Sequence, residues 1–178
     1  MQRDIARRSV LVGVASASLA GCVGLFGDGR EVTVSHLGDP VTETTVSMTA
    51  RGGDRFDPTL VHVTTGGTVT WELVSGVHDT VAYHPDNDKP LRMPDNASPW
   101  NSGLLSSGEE EFSVTFDTEG VYDYVCTPHE HVGMVGRVVV GGPSPDDEPA
   151  LSQDTSPLPR EATRVFDTLN QQVKDALG

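Results

Sequence analysis

Between about residue 44 and residue 141 the chain never sustains the three-to-four-residue apolar spacing of a helix. Its short apolar runs alternate in steps of two and are cut by clusters of Gly, Asp, Asn and Pro. That pattern confines the segment to an all-β fold. Val46, Met48 and Ala50 share one face, Leu60, His62 and Thr64 stand opposite Val61 and Val63, and Val69, Trp71 and Leu73 line one side of the next run. Further strands are expected over 80–84, 111–116, 120–126 and 134–140, with Phe112, Val114 and Phe116 turned inward. Seven to eight strands of this length and spacing predict a two-sheet β-sandwich. The connection 85–108, with Pro90, Pro94, Pro99 and Trp100, has no period and is expected to be an ordered excursion over the surface.

The ends differ from this middle. Arg7 and Arg8 precede an apolar stretch of small residues from Val10 to Ala20, 11 residues where a membrane span needs about 20. The stretch is read as an export signal of the twin-arginine type over 1–21, removed from the working protein. Leu19-Ala20-Gly21-Cys22 looks like a lipobox, so Cys22 is expected to carry the lipid that anchors a spacer over 22–43 to the extracytoplasmic face of the membrane. The alternative is a soluble export signal with an incidental cysteine. The β domain spans 44–141, and 142–159, rich in Pro and Asp, reads as a linker. Over 160–177, Ala162, Val165, Phe166, Leu169, Val173, Ala176 and Leu177 form one apolar stripe, which predicts an amphipathic helix within a terminal segment 160–178. It docks on the β domain, stands alone as a marginal helix, or binds a partner.

Charge narrows the partners. The chain carries 12 Lys+Arg against 26 Asp+Glu, a net −14, and an acidic surface repels the phosphates of nucleic acid. Residues 1–21 hold Arg3, Arg7, Arg8 and Asp4, so the remainder stands at −16, with Lys89 and Lys174 its only lysines. That is the composition of proteins soluble in very high salt, where steering by charge is screened within about 3 Å.

The chemistry gathers in Tyr122-Asp123-Tyr124-Val125-Cys126-Thr127-Pro128-His129-Glu130-His131-Val132-Gly133-Met134. Cys126 ends a strand, Pro128 forces a turn that returns His129 toward the sulfur, and Gly133 lets Met134 approach from a second direction. One more in-plane ligand must come from elsewhere, and His78, in Gly76-Val77-His78-Asp79-Thr80, is the best placed. Two His and one Cys in a trigonal set with a weak axial Met are the ligand signature of blue copper. Structural zinc, which rarely takes Met, and a buried cysteine beside surface histidines are the competing readings. His131 is expected on the surface, His36 and His62 are structural or exposed, and His84 lies too far along its strand to reach the same ion. A copper enzyme needs further histidine clusters, which six histidines in all do not supply. Storage or delivery of copper by the same ligands is the alternative to electron transfer. Asn96-Ala97-Ser98 is a formal glycosylation motif, with Pro99 directly after it counting against use.

Residues from about 60 to 141 resemble the plastocyanin–pseudoazurin branch of the cupredoxins, through Cys126-Thr127-Pro128-His129, Gly133-Met134 and the Gly66-Gly67-Thr68-Val69-Thr70-Trp71 approach to His78. With the lipobox and the acidity, the whole resembles the halocyanin group. The resemblance implies a Greek-key β-sandwich and one type 1 copper held by His78, Cys126, His129 and Met134. It also implies a monomeric, non-enzymatic electron carrier whose redox partners dock at the partly exposed His129 face. Asp79, Thr127 and Pro128 are implied to surround the ligands. The family commonly has Asn where Asp79 stands, tying the two ligand loops together, and an anionic Asp79 would lower the potential. Val125 replaces the aromatic residue that serves a remote exit in plant relatives, and Glu130 and His131 place polarity around the exposed ligand.

Overall fold

In a computed structural model, which describes residues 37–106 and 110–178, the alternating runs become seven strands. These are β1 (Val41–Thr49), β2 (Arg55–Asp57), β3 (Leu60–Leu73), β4 (Val81–Ala82), β5 (Glu111–Phe116), β6 (Gly120–Val125) and β7 (Val135–Val140). The segment 1–21 expected to be an export signal, Cys22 and most of the expected spacer 22–43 lie outside the described residues. Hydrogen bonding links the strands in the order β2-β1-β3-β7-β6-β4, with β5 on β3.

β3 does the folding over. Its first segment pairs in parallel with β7, Val63 opposite Val140, while Thr68–Leu73 lies between β1 and β5. The tight stretch 64–67 between the segments sends the chain back toward the end of the domain where Cys126 lies. The sheet therefore closes into two facing layers, and the space between them is filled by Val46, Met48, Val63, Val69, Trp71, Tyr122, Tyr124 and Val138. The all-β sandwich expected from the alternation is the fold.

Three expectations change in detail. Only Val81–Ala82 of the run 80–84 ladders with β6, because Pro85 opens a short 3-10 turn directly afterwards. The excursion 85–108 is more than surface: Met93 and Trp100 enter the core, Trp100 stacking at 5.5 Å from both Trp71 and Phe116. The segment 142–159 is not a free linker, since it forms α1 (Pro149–Ser152) and buries Ala150, Leu151 and Leu158.

These three residues belong to a second core. The helix α2 (Arg160–Leu177) lays Ala162, Val165, Phe166, Leu169 and Val173 on the outer face of β6 and β7, against Val121, Val125, Val135 and Val139. Every residue of β6 and β7 is thereby buried. Burial of each large apolar side chain of that stripe is worth roughly 1.5–3 kcal/mol, more than an isolated helix of this length can supply for itself. Under the helix sit three charged side chains with no exposure, Asp123 between Arg92 and Arg137. Arg92 Nε donates to Asp123 Oδ2 at 2.8 Å and Arg137 Nε to Asp123 Oδ1 at 2.7 Å. Their outer nitrogens donate to the Ala150 carbonyl and to Asn170 Oδ1. The triad is thus the polar rivet between the sheet and the C-terminal helices.

Candidate metal centre

Two loops at one end of the sandwich build the site. Cys126 follows β6, its N–H donating to the Met134 carbonyl at 2.9 Å, so the strands on either side of the loop stay closed at its base. Thr127–Val132 is a short 3-10 helix with Pro128 near its start, and His129 N–H donates to the Cys126 carbonyl at 3.0 Å. Gly133 ends the turn at φ 84, where its bare Cα faces the backbone of Glu161 in α2 and a Cβ would approach it to 3.2 Å. Met134 N–H then donates to the His129 carbonyl at 3.1 Å, and its side chain is buried in the core.

His78 arrives from the other layer. After β3, Gly76 turns at φ 95 in contact with the His78 ring, and His78 exchanges both backbone hydrogen bonds with Leu105. Asp79, next in sequence, is buried and joins the two loops: Thr127 N–H donates to Asp79 Oδ1 at 2.6 Å and the Thr127 hydroxyl donates to Oδ2. Two donors facing its two oxygens suit the ionised carboxylate. Asp79 therefore performs the tie expected of an asparagine, with Thr127 supplying both donors and Pro128 setting the turn.

The donor atoms converge. His78 Nδ1 lies 3.6 Å from Cys126 Sγ, His129 Nδ1 lies 3.3 Å from it, and the two nitrogens are 3.1 Å apart. A cation bound to nitrogen and sulfur at about 2.0–2.3 Å in a trigonal set separates its donors by about 3.5–3.8 Å, so this triangle is the right size, slightly contracted. Among the described residues it is the one grouping of three His, Cys, Asp or Glu donors that could hold a metal. His78 and Cys126 have no exposure, whereas His129 keeps 25% of its side chain in solvent and turns Nε2 toward Asp54 at 3.8 Å.

Protonation fits metal uptake. Burial lowers the His78 pKa and neighbouring His129 adds to the effect, so its nitrogen is neutral and available. Burial pushes the Cys126 thiol up to about 12, so without metal it holds its proton at neutral pH. A metal must displace that proton. Metal affinity therefore falls as pH falls, by about tenfold per unit below the thiol pKa, with one proton released per ion bound. Titration of metal into weakly buffered protein at pH 7 with a pH electrode checks this; uptake without proton release would show that the thiol is not a ligand.

The polarity expected of Glu130 around the exposed ligand is not found there. Glu130 is folded away from the exposed edge, accepting from the Tyr83 hydroxyl at 2.7 Å and from Lys89 Nζ, so it braces the ligand turn from below. His131 is exposed and takes no place among the converging donors. Asp54 comes from the loop between β1 and β2, about as far in sequence from His129 as the domain permits. His62 lies at the opposite end, its ring nitrogens 2.6 and 2.7 Å from the carbonyls of Gly38 and Gly141, while His84 caps the turn at Pro85–Asn87.

The chain is similar to known proteins. Residues 44–141 match the model of copper binding proteins of the plastocyanin/azurin family. A halocyanin of Natronomonas pharaonis is 33% identical over 171 residues, covering 78% of this chain and 99% of the relative. A plastocyanin of Scenedesmus fuscus is 31% identical over 55% of this chain and 99% of its own length. The crystal structure of pseudoazurin from Methylobacterium extorquens superposes with a TM-score of 0.59 at 30% identity, over 74% of this chain and 98% of that one. Copper is thus the metal that the His78, Cys126 and His129 donors suit, and the chain belongs to the plastocyanin/azurin family of copper-binding proteins.

Proposed function

We propose that this chain is a membrane-tethered carrier of single electrons and not an enzyme, with Met134 as the weak axial ligand of its copper. Copper at this site would alternate between Cu(I) and Cu(II), taking up and releasing one electron without making a bond to a substrate. The observation that carries the reading is that two of the three converging donors are sealed while His129 alone reaches solvent. The chain's own residues hold the ligands still. Asp79 and Thr127 lock one loop to the other, and Tyr83 and Lys89 grip Glu130 beneath the turn. Ligands that cannot move keep reorganisation small, as electron transfer needs. Storage or delivery needs ligands that open, and these braces oppose opening.

Exposed Val74, Val77 and Leu104 flank the His78–Leu105 bridge, an apolar surface at the metal end suited to brief docking of a redox partner. Leu37 to Val41, the first described residues, lie at the other end, beside Val63. Voltammetry of copper-loaded protein tests the carrier reading. A reversible one-electron wave is expected; tight copper binding without such a wave favours storage.

The carboxylate at position 79 sets a further expectation. A unit charge near an ion at an effective dielectric of about 20 is worth roughly 2–3 kcal/mol, and 59 mV corresponds to a factor of ten for one electron. Asp79→Asn keeps a hydrogen-bonding side chain in place but removes the anion that favours Cu(II). Its reduction potential is expected to rise by roughly 100 mV by the same voltammetry; an unchanged or lower potential would show that Asp79 is not charged in the folded protein.

A further inference from the structure

The chain contains one Asn-x-Ser/Thr motif, Asn96-Ala97-Ser98, and the fold presents it on a rigid base. Met93 and Trp100, both buried, pin the connection on either side, and Trp100 Nε1 donates to Thr80 Oγ1 at 3.1 Å. Between them the backbone makes a turn, Ala97 N–H donating to the Pro94 carbonyl at 3.1 Å, which lifts Asn96 and Ser98 into solvent. Beside Asn96 runs a groove of about 280 Å³ bounded by Trp100, Phe116, Thr118 and Tyr122. Phe116 pairs opposite Gly67 and Tyr122 opposite Val138, toward the end of the sandwich away from Cys126.

We propose that Asn96, held exposed on this turn, is an N-glycosylation site. The proposal rests on the reading that the chain is exported. A twin-arginine signal delivers chains already folded, so the glycosylating enzyme meets the folded turn, and exposure in the fold is the property that matters. Pro99 restricts Ser98 in a flexible chain; in the folded one the backbone is already set by the turn at Pro94–Ala97. The donor is a sugar linked through phosphate to a membrane lipid. The bond from its anomeric carbon to the phosphate oxygen breaks, the bond from that carbon to Asn96 Nδ2 forms, and the amide loses one proton. The lipid phosphate leaves, and nothing is oxidised or reduced. A glycan here leaves the His129 edge clear.

The test uses the full-length chain expressed in cells whose exported proteins carry asparagine-linked glycans, with the envelope and cytoplasmic fractions analysed separately by intact mass and peptide mapping. The envelope form is expected to carry at least one sugar residue on the peptide containing Asn96. Asn96→Gln and Ser98→Ala should each remove it while the blue absorbance of the copper-loaded protein stays unchanged. A bare chain in the envelope overturns the proposal, as does a glycan that survives both substitutions. A chain that never leaves the cytoplasm instead overturns the export reading, and with it the proposal that rests on it.

Discussion

Cys126→Ser is expected to abolish the intense visible band of the copper-loaded protein. The band of a blue site arises from a short thiolate–copper bond, and Cys126 is the single sulfur among the three converging donors. A serine hydroxyl is harder, shorter and far less acidic than a thiol, so it cannot replace the soft donor. The His78 and His129 imidazoles should still bind copper, weakly and without colour. The fold should survive, because the backbone bond from residue 126 to Met134 is unaffected. Met134→Leu makes the useful contrast: copper and colour should be retained while the potential shifts, as expected if the Met134 thioether is the weak ligand proposed above. Absorption spectra and voltammetry of both variants decide the matter, and a blue Cys126→Ser protein would overturn the ligand assignment.

Asp123→Asn is expected to destabilise the protein by about 3–5 kcal/mol, the usual loss when one partner of a buried ion pair is removed. Asp123 stands between two guanidinium groups that have no exposure. An amide of the same shape accepts from at most one of them well and neutralises neither, leaving two buried cations stacked against Phe166 without a counter-charge. The damage should reach the C-terminus first, because the same arginines donate to the Ala150 and Gln153 carbonyls and to Asn170. Denaturant unfolding followed by circular dichroism checks the magnitude. Loss of less than about 1 kcal/mol would show that the triad is not what rivets the helices to the sheet.

Much of this was legible in the sequence because the relevant signals are local. Alternation over a few residues defines β1, β3, β5, β6 and β7, and the stripe from Ala162 to Val173 defines α2. Cys126, His129 and Met134 share one loop, where spacing alone constrains geometry. His78 could be picked out because few histidines compete for the role.

What stayed hidden depends on the second layer of packing. Asp123 alternates with Tyr122 and Tyr124, so it reads as a solvent-facing residue, and it does face out of the sandwich; the C-terminal helices then cover it. A signal for that covering exists in Val121, Val125, Val135 and Val139, apolar residues on the outer face of strands whose inner face is already apolar. Pro and Asp in 142–159 look like a linker by composition, but Ala150, Leu151 and Leu158 are few and widely spaced and have no period to reveal their burial. Asp54 and Lys89 reach the ligand turn from loops, where no pattern relates position in sequence to position in space.

Binding of one copper by His78, His129 and the Cys126 thiolate has a distinctive optical signature. Its most direct test is the visible absorption spectrum of the chain from Arg30 onward, titrated with Cu(II) in high salt. An intense blue band is expected that saturates at one copper per chain, bleaches with reductant and returns with oxidant. A folded protein that binds copper but stays colourless would contradict it.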